Sequence, residues 1–221
     1  MGDANDMTLE EKASLLSGKD NWHTKAVDRV GVPSIMMTDG PHGVRKMNEG
    51  EYGINSKIKT TCFPTASCAA CSFDTELANK MAKAIALEAK ANNVAVVLGP
   101  GANIKRSPLC GRNFEYYSED PCLSGNMAGN FILGMNEENV GCSLKHFAAN
   151  NQEYRRFIES NNIDMRALMD IYLKSFKIAM DISKPATIMC AYNKINEVYC
   201  SENKWLLTDI LREKFGFDGL V

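Results

Sequence analysis

Residues 74–101 read DTELANKMAKAIALEAKANNVAVVLGPG, a helix pattern that passes directly into a strand pattern. Asp74 has the short carboxylate of an N-cap, and Leu77, Met81, Ala84, Ile85 and Glu88 recur at helical spacing as far as about Asn92. Val94 to Leu98 is then an uninterrupted, valine-rich apolar run, as a strand covered on both faces of a parallel sheet requires. Gly99-Pro100-Gly101 ends it and opens a polar loop.

The same alternation extends both ways. Upstream, Thr8 opens a helix, with Glu11 completing a capping box and Gly18 closing it. Val32 to Met37 is a short apolar run ending in the polar cluster TDGPHG, a strand followed by a loop. Downstream come the loop GPGANIKRSPLCGRNFEYYSEDP, a helix from about Leu123 to Glu138, and the short strand Ser143-Leu144-Lys145 leading into HFAANNQE. Asp164 caps a helix to about Ile182, and Ala186 to Cys190 is a strand. Ser201 starts a last helix with Leu207, Ile210, Leu211 and Phe215 inward and Gly216 as its C-cap, after which Gly219-Leu220-Val221 begins another buried strand.

Strands alternating with helices, each followed by a polar loop, describe a (β/α) barrel or an open doubly wound sheet. No G-x-G-x-x-G opens a helix after a strand, and GPGANIKR has neither the spacing nor the helix start, so the dinucleotide-type sheet is disfavoured. The expected fold is α/β, a (β/α)8 TIM-barrel-like domain formed by residues 1–221, without linker or internal repeat. A complete barrel takes about 250 residues, so this one is expected to be incomplete at its C-terminal end.

Composition narrows the function classes. The 221 residues are 45% hydrophobic and 24% charged with a net charge of −2, an ordinary globular balance without the basic footprint of a nucleic-acid or membrane binder. The longest apolar runs fall far short of the roughly 18 residues of a membrane span, and MGDANDMTLEEK lacks an apolar signal-peptide region, which makes the cytoplasm the default. Of the eight cysteines, Cys68 and Cys71 form a C-x-x-C. No second pair or histidine cluster stands beside it, so reduced, buried or half-buried thiols are expected there rather than metal or redox chemistry. No cofactor or metal is implied.

Four loops gather polar residues after strands. In the first, Thr38 to Arg45, Asp39 sits where strand meets loop. Its carboxylate suits the vicinal diol of a sugar, or simply satisfies turn amides. The second, Arg106 to Glu115, interleaves Arg and Glu with aromatics, either as a site or as an ion-pair network around Glu115 and Glu119. The third carries Lys145-His146-Phe147 with Gln152, Glu153, Arg155 and Arg156 downstream, and the fourth is Ala191-Tyr192-Asn193-Lys194.

Together, TDGPHGVR, LGPGANIKRSPLCGRNFEYYSEDP, KHFAANNQE, IMCAYNKIN and NKWLLTDILREKFGFDG resemble the N-terminal catalytic domain of glycoside hydrolase family 3, on its β-glucosidase branch. The likeness runs in the family's order from MTLEEKASLLSG to the last residues. It implies a barrel that hydrolyses β-linked glucosides with retention. Asp39 would grip the glucose of the −1 subsite, with Arg45 as its supporting cation. Arg112, Lys145 and His146 would bind that sugar's hydroxyls, and Arg156 and Tyr192 would line the site near the nucleophile.

A retaining glycosidase needs two carboxyl groups about 5–5.5 Å apart. The family's nucleophile is an Asp in a Ser-Asp-Trp-like motif following the stretch that FGFDGLV begins, and its acid/base Glu comes from a C-terminal α/β domain. Glu115, Glu119 and Glu153 match neither position. FAANNQEYRR also lacks the second His of the N-acetylglucosaminide branch. The expectation is therefore a chain supplying sugar-binding residues and inactive alone, its partners a β-glucoside or β-linked oligosaccharide and the rest of the barrel and C-terminal domain, from the same gene or a partner chain. The alternative is a non-catalytic sugar-binding or scaffold fragment that requires a partner chain.

Overall fold

A computed structural model describes residues 3–47 and 58–221. Its main sheet has four parallel strands, β1 (Met37–Asp39), β2 (Val96–Leu98), β3 (Gly141–Phe147) and β5 (Thr187–Cys190), lying in chain order. Leu220 extends the series through a parallel bridge to Thr187. Strands laid down side by side in sequence are the ordering expected of a barrel sector, whereas a doubly wound sheet reverses at a switch point. Among the described residues the sheet stays open and does not close on itself.

Helices separate the strands. Between β1 and β2 lie α2 (Ala66–Ala70) and α3 (Thr75–Ala91), and between β2 and β3 lies α4 (Pro121–Glu137). Between β3 and β5 the chain runs through α5 (Met165–Ala167), a π turn at Leu168–Tyr172 and α6 (Lys174–Ile182). The caps follow the sequence: Asp74 accepts from Leu77 N at 3.0 Å and Asp164 from Ala167 N at 3.0 Å. At Thr8 both halves of the capping box form, but α1 spans only Leu9–Ser14 and ends short of Gly18. Phe147 of β3 and Phe176 of α6 meet edge to face at 5.2 Å, both fully buried, where each contributes on the order of 2 kcal/mol of apolar burial.

Several local expectations shift. The run 32–37 is not a single strand. Val32 and Met36 instead pair antiparallel with Val27 and His23, and the parallel strand starts only at Met37. Pro33 withholds a ladder donor from that run. On α3 the buried face is Ala78, Met81, Ala82, Ile85, Ala86 and Ala89, while Leu77 is 46% exposed. An alanine row lets α4 approach closely enough that a Cβ on Gly134 would lie 2.9 Å from that of Ala82. The last helical segment, Trp205–Lys214, is π-wound and follows a 3-10 turn at Cys200–Glu202, which brings Leu206 rather than Leu207 fully inside. A small second sheet of β4 (Ser160–Asn161), β6 (Lys194–Ile195) and β7 (Val198–Tyr199) has no counterpart in the sequence reading. All eight cysteines are free, but Cys68 and Cys71 are exposed, contrary to expectation, because α2 turns its alanines inward.

Candidate functional site

The C-terminal ends of β1 and β3 and the loop after β2 enclose a cavity of about 350 Å³, lined by residues that include Asp39, His42, Arg45, Arg112, Glu115 and Lys145. That volume lies within the range of small-molecule sites. Asp39 ends β1, and a tight turn folds the chain back so that Arg45 N donates to Asp39 O at 3.0 Å and Arg45 Nη2 to Asp39 Oδ2 at 2.5 Å. Gly40, at φ +126°, makes this return possible, because a Cβ there would lie 1.9 Å from the Gly43 carbonyl oxygen.

Lys145 comes from the middle of the sheet. Its amide donates to Pro100 O at 3.0 Å and its carbonyl accepts from Ala102 N at 2.8 Å, so the loop after β2 is laced to β3. With its side chain 3% exposed, Lys145 Nζ lies 3.2 Å from Glu115 Oε2 and 3.6 Å from Asp39 Oδ1. Arg112 Nε donates to the other Glu115 oxygen. Burial pushes the Glu115 carboxyl up, but Lys145 and Arg112 together overcome this and hold it below its ordinary range.

His146 stands behind Arg112, 2% exposed and outside the cavity lining. A guanidinium only donates, so the 2.7 Å contact from Arg112 Nη2 makes His146 Nε2 the acceptor and leaves the proton on Nδ1. That Nδ1–H then donates to Tyr116 Oη at 2.9 Å, and Asn150 Nδ2 donates to the same oxygen at 3.0 Å. Burial first, and then the charges of Arg112, Lys145 and Arg156, keep His146 neutral, well below the usual histidine range. Its backbone is held reciprocally by Asn103, at 2.8 and 2.9 Å.

Arg156 joins the network at one remove. Its Nη1 donates to Glu153 Oε2 at 2.9 Å, and Glu153 also accepts from Asn150 and lies 3.8 Å from Arg112. The Arg156 guanidinium covers the Tyr192 ring at 5.1 Å, and Tyr192 is 50% exposed. The structure thus brings Asp39, Arg45, Arg112 and Lys145 onto one cavity wall, sets His146 behind Arg112, and leaves Arg156 and Tyr192 outside the lining, linked to Arg112 through Glu153. Sequence reasoning did not single out His42, Phe114 or Tyr116. The signal was present in the same two quoted motifs, where Phe114 and Tyr116 flank Glu115 and His42 lies midway between Asp39 and Arg45. Glu115 is central to the ion-pair network that the sequence offered as one option, with Glu153 in place of Glu119 as its second carboxylate. Among the described residues no cluster of three or more His, Cys, Asp or Glu is placed to hold a metal ion, and no helix is long and apolar enough to cross a membrane.

Residues 8–221 match the family model of the glycosyl hydrolase family 3 N-terminal domain. The chain belongs to glycosyl hydrolase family 3. Thermostable beta-glucosidase B of Acetivibrio thermocellus is 55% identical over 217 residues, covering 97% of this chain and 29% of that protein. An exo-alpha-(1->6)-L-arabinopyranosidase of Bifidobacterium longum is 51% identical over 219 residues, covering 98% and 29%. The crystal structure of a Bifidobacterium adolescentis family 3 beta-glucosidase matches with a TM-score of 0.91 at 50% identity, over 98% of this chain and 31% of that one. This family 3 chain therefore spans under a third of the length of these relatives.

Proposed function

We propose that the cavity is the −1 subsite of a retaining β-glucosidase-type hydrolase, and that residues 1–221 supply recognition rather than the reacting groups. The observation that carries this is the alternation of charge on one wall: Asp39 faces Lys145, Lys145 faces Glu115, and Glu115 faces Arg112. A sugar ring offers adjacent hydroxyls that both donate and accept. Asp39 accepts from a pair of them, while Lys145 and Arg112 donate to their neighbours. His146 serves by fixing Arg112, Glu153 orients Arg156, and the Tyr192 ring offers a face outside the lining.

Both carboxylates of the wall suit binding better than reaction. A general acid needs a raised pKa, and Glu115 is lowered. Asp39 is clamped between Arg45 and Lys145, which opposes nucleophilic attack. The nucleophile and acid/base therefore belong, in this reading, to segments outside residues 1–221, closing the barrel and adding the C-terminal domain. The eight free thiols support a reducing, cytoplasmic setting.

The arabinopyranosidase relatives favour one second reading, a terminal pentopyranose in place of glucose. Chromogenic β-glucoside and α-L-arabinopyranoside given to the 221-residue protein are expected to show no turnover above background. Turnover that survives Asp39→Ala would overturn both the site and the assignment of chemistry to other segments.

A further inference from the structure

The helix α2 lies against the sugar cavity and carries the C-x-x-C on its outer face. Ala66, Ala69 and Ala70 point inward, and Cys68 and Cys71 are exposed free thiols. The Cys71 amide donates to the Cys68 carbonyl at 3.1 Å, closing one turn between them. Such a turn keeps its first and fourth Cα atoms within about 7 Å, close to the separation a disulfide spans.

Two hydrogen bonds fasten α2 to the cavity wall. Ala66 N–H donates to His42 Nε2 at 2.9 Å. The Ser67 hydroxyl donates to the Asn113 carbonyl at 2.9 Å, on the turn that carries Arg112 and Glu115. Lys105 Nζ donates to that same hydroxyl at 2.5 Å.

We propose that Cys68 and Cys71 are a thiol–disulfide pair whose oxidation weakens sugar binding through the Ser67–Asn113 link. The oxidant is a small-molecule disulfide. One cysteine thiolate attacks it, forming a mixed disulfide and releasing one thiolate. The second cysteine thiolate then displaces the other half, so two protein thiols become one disulfide and the reagent is reduced to two thiols. Closing the bridge draws the Cβ atoms from about 5–6 Å to about 3.5–4.5 Å, which tightens the end of α2 and moves Ser67, next to Cys68. The coupling to sugar rests on the −1 subsite reading, whereas the bridge itself does not.

The purified 221-residue protein is equilibrated with oxidised and reduced glutathione, alkylated with iodoacetamide and mapped by mass spectrometry. Cys68 and Cys71 are expected to leave the alkylated pool together without a retained glutathione adduct. Cys62 and Cys122, exposed but with no cysteine three residues away, are expected to stay alkylated or to carry glutathione singly. Calorimetric titration with glucose is expected to give a Kd about tenfold weaker after oxidation, the effect of misplacing one charge-assisted hydrogen bond. The Cys68→Ser, Cys71→Ser double variant is expected to bind equally under both conditions. Separate glutathione adducts on Cys68 and Cys71, or alkylation matching Cys122, would overturn the pair. A bridge that leaves glucose affinity unchanged would overturn the coupling. Absence of glucose binding in either state would remove the coupling together with the subsite reading, while the mass map still decides the bridge.

Discussion

Lys145 Nζ stands 3.2 Å from Glu115 and 3.6 Å from Asp39 with almost no solvent contact. Replacing it by Met leaves Asp39 with Arg45 and Glu115 with Arg112 but removes the buried cation between them, a loss of about 1–3 kcal/mol. Lys145→Met is therefore expected to lower the urea midpoint sharply, and Lys145→Met with Glu115→Gln to recover part of the loss. The histidines set an acid dependence. Burial lowers His42 to about 4 and takes His146 well below its ordinary 6.5. The unfolded chain thus binds more protons than the folded one below pH 6.5. Stability from these groups is complete above that pH and is lost as pH falls toward 4, and the lowered Glu115 continues the same trend below 4.5. Between pH 7 and 5, His42→Gln should remove about 1 kcal/mol of the fall in unfolding free energy, allowing for partial exposure. At this scale Asp39 and the Lys145-His146 pair stood out by their place at the ends of predicted strands, while Arg112 was singled out within its long loop only by the resemblance to family 3. The sequence could not show that His146 faces Arg112 instead of the cavity, since that depends on which way β3 turns its side chains.

At the level of elements, the packing of α4 on α6 relies on close approach. A Cβ on Gly125 would stand 2.6 Å from Ile178 Cβ and 2.9 Å from the Ser175 carbonyl oxygen. Gly125→Ala gains about 1 kcal/mol of helix propensity, but displacing a β-branched side chain and a backbone oxygen costs about 1–3 kcal/mol. The substitution is expected to be net destabilising, read as a lower thermal midpoint. The same closeness explains what the sequence concealed. Periodicity correctly gave a helix from Asp74, yet the larger Leu77 drew attention from the alanine row that forms the contact. The π turn at Leu168–Tyr172 and the π-wound Trp205–Lys214 keep an ordinary helical pattern in sequence while rotating the buried face. The two-residue strands β4, β6 and β7 are too short to carry any periodic signal.

For the whole molecule, the order of strands followed from the alternation itself, because short crossovers through helices place successive parallel strands side by side. The outer edge of β1 is covered, with Met37 N donating to Trp22 O at 2.7 Å. At the opposite edge Leu220 pairs with Thr187, and Leu220 and Val221 are 62% and 43% exposed. The −1 subsite assignment requires the Asp39 wall to hold a sugar. Calorimetric titration of the protein with glucose, repeated on Asp39→Asn, tests it most directly. Saturable binding that weakens about 10- to 100-fold in the variant is expected, as the loss of a hydrogen bond to a charged acceptor requires. Equal affinity in the two proteins, or no binding by either, would contradict the assignment.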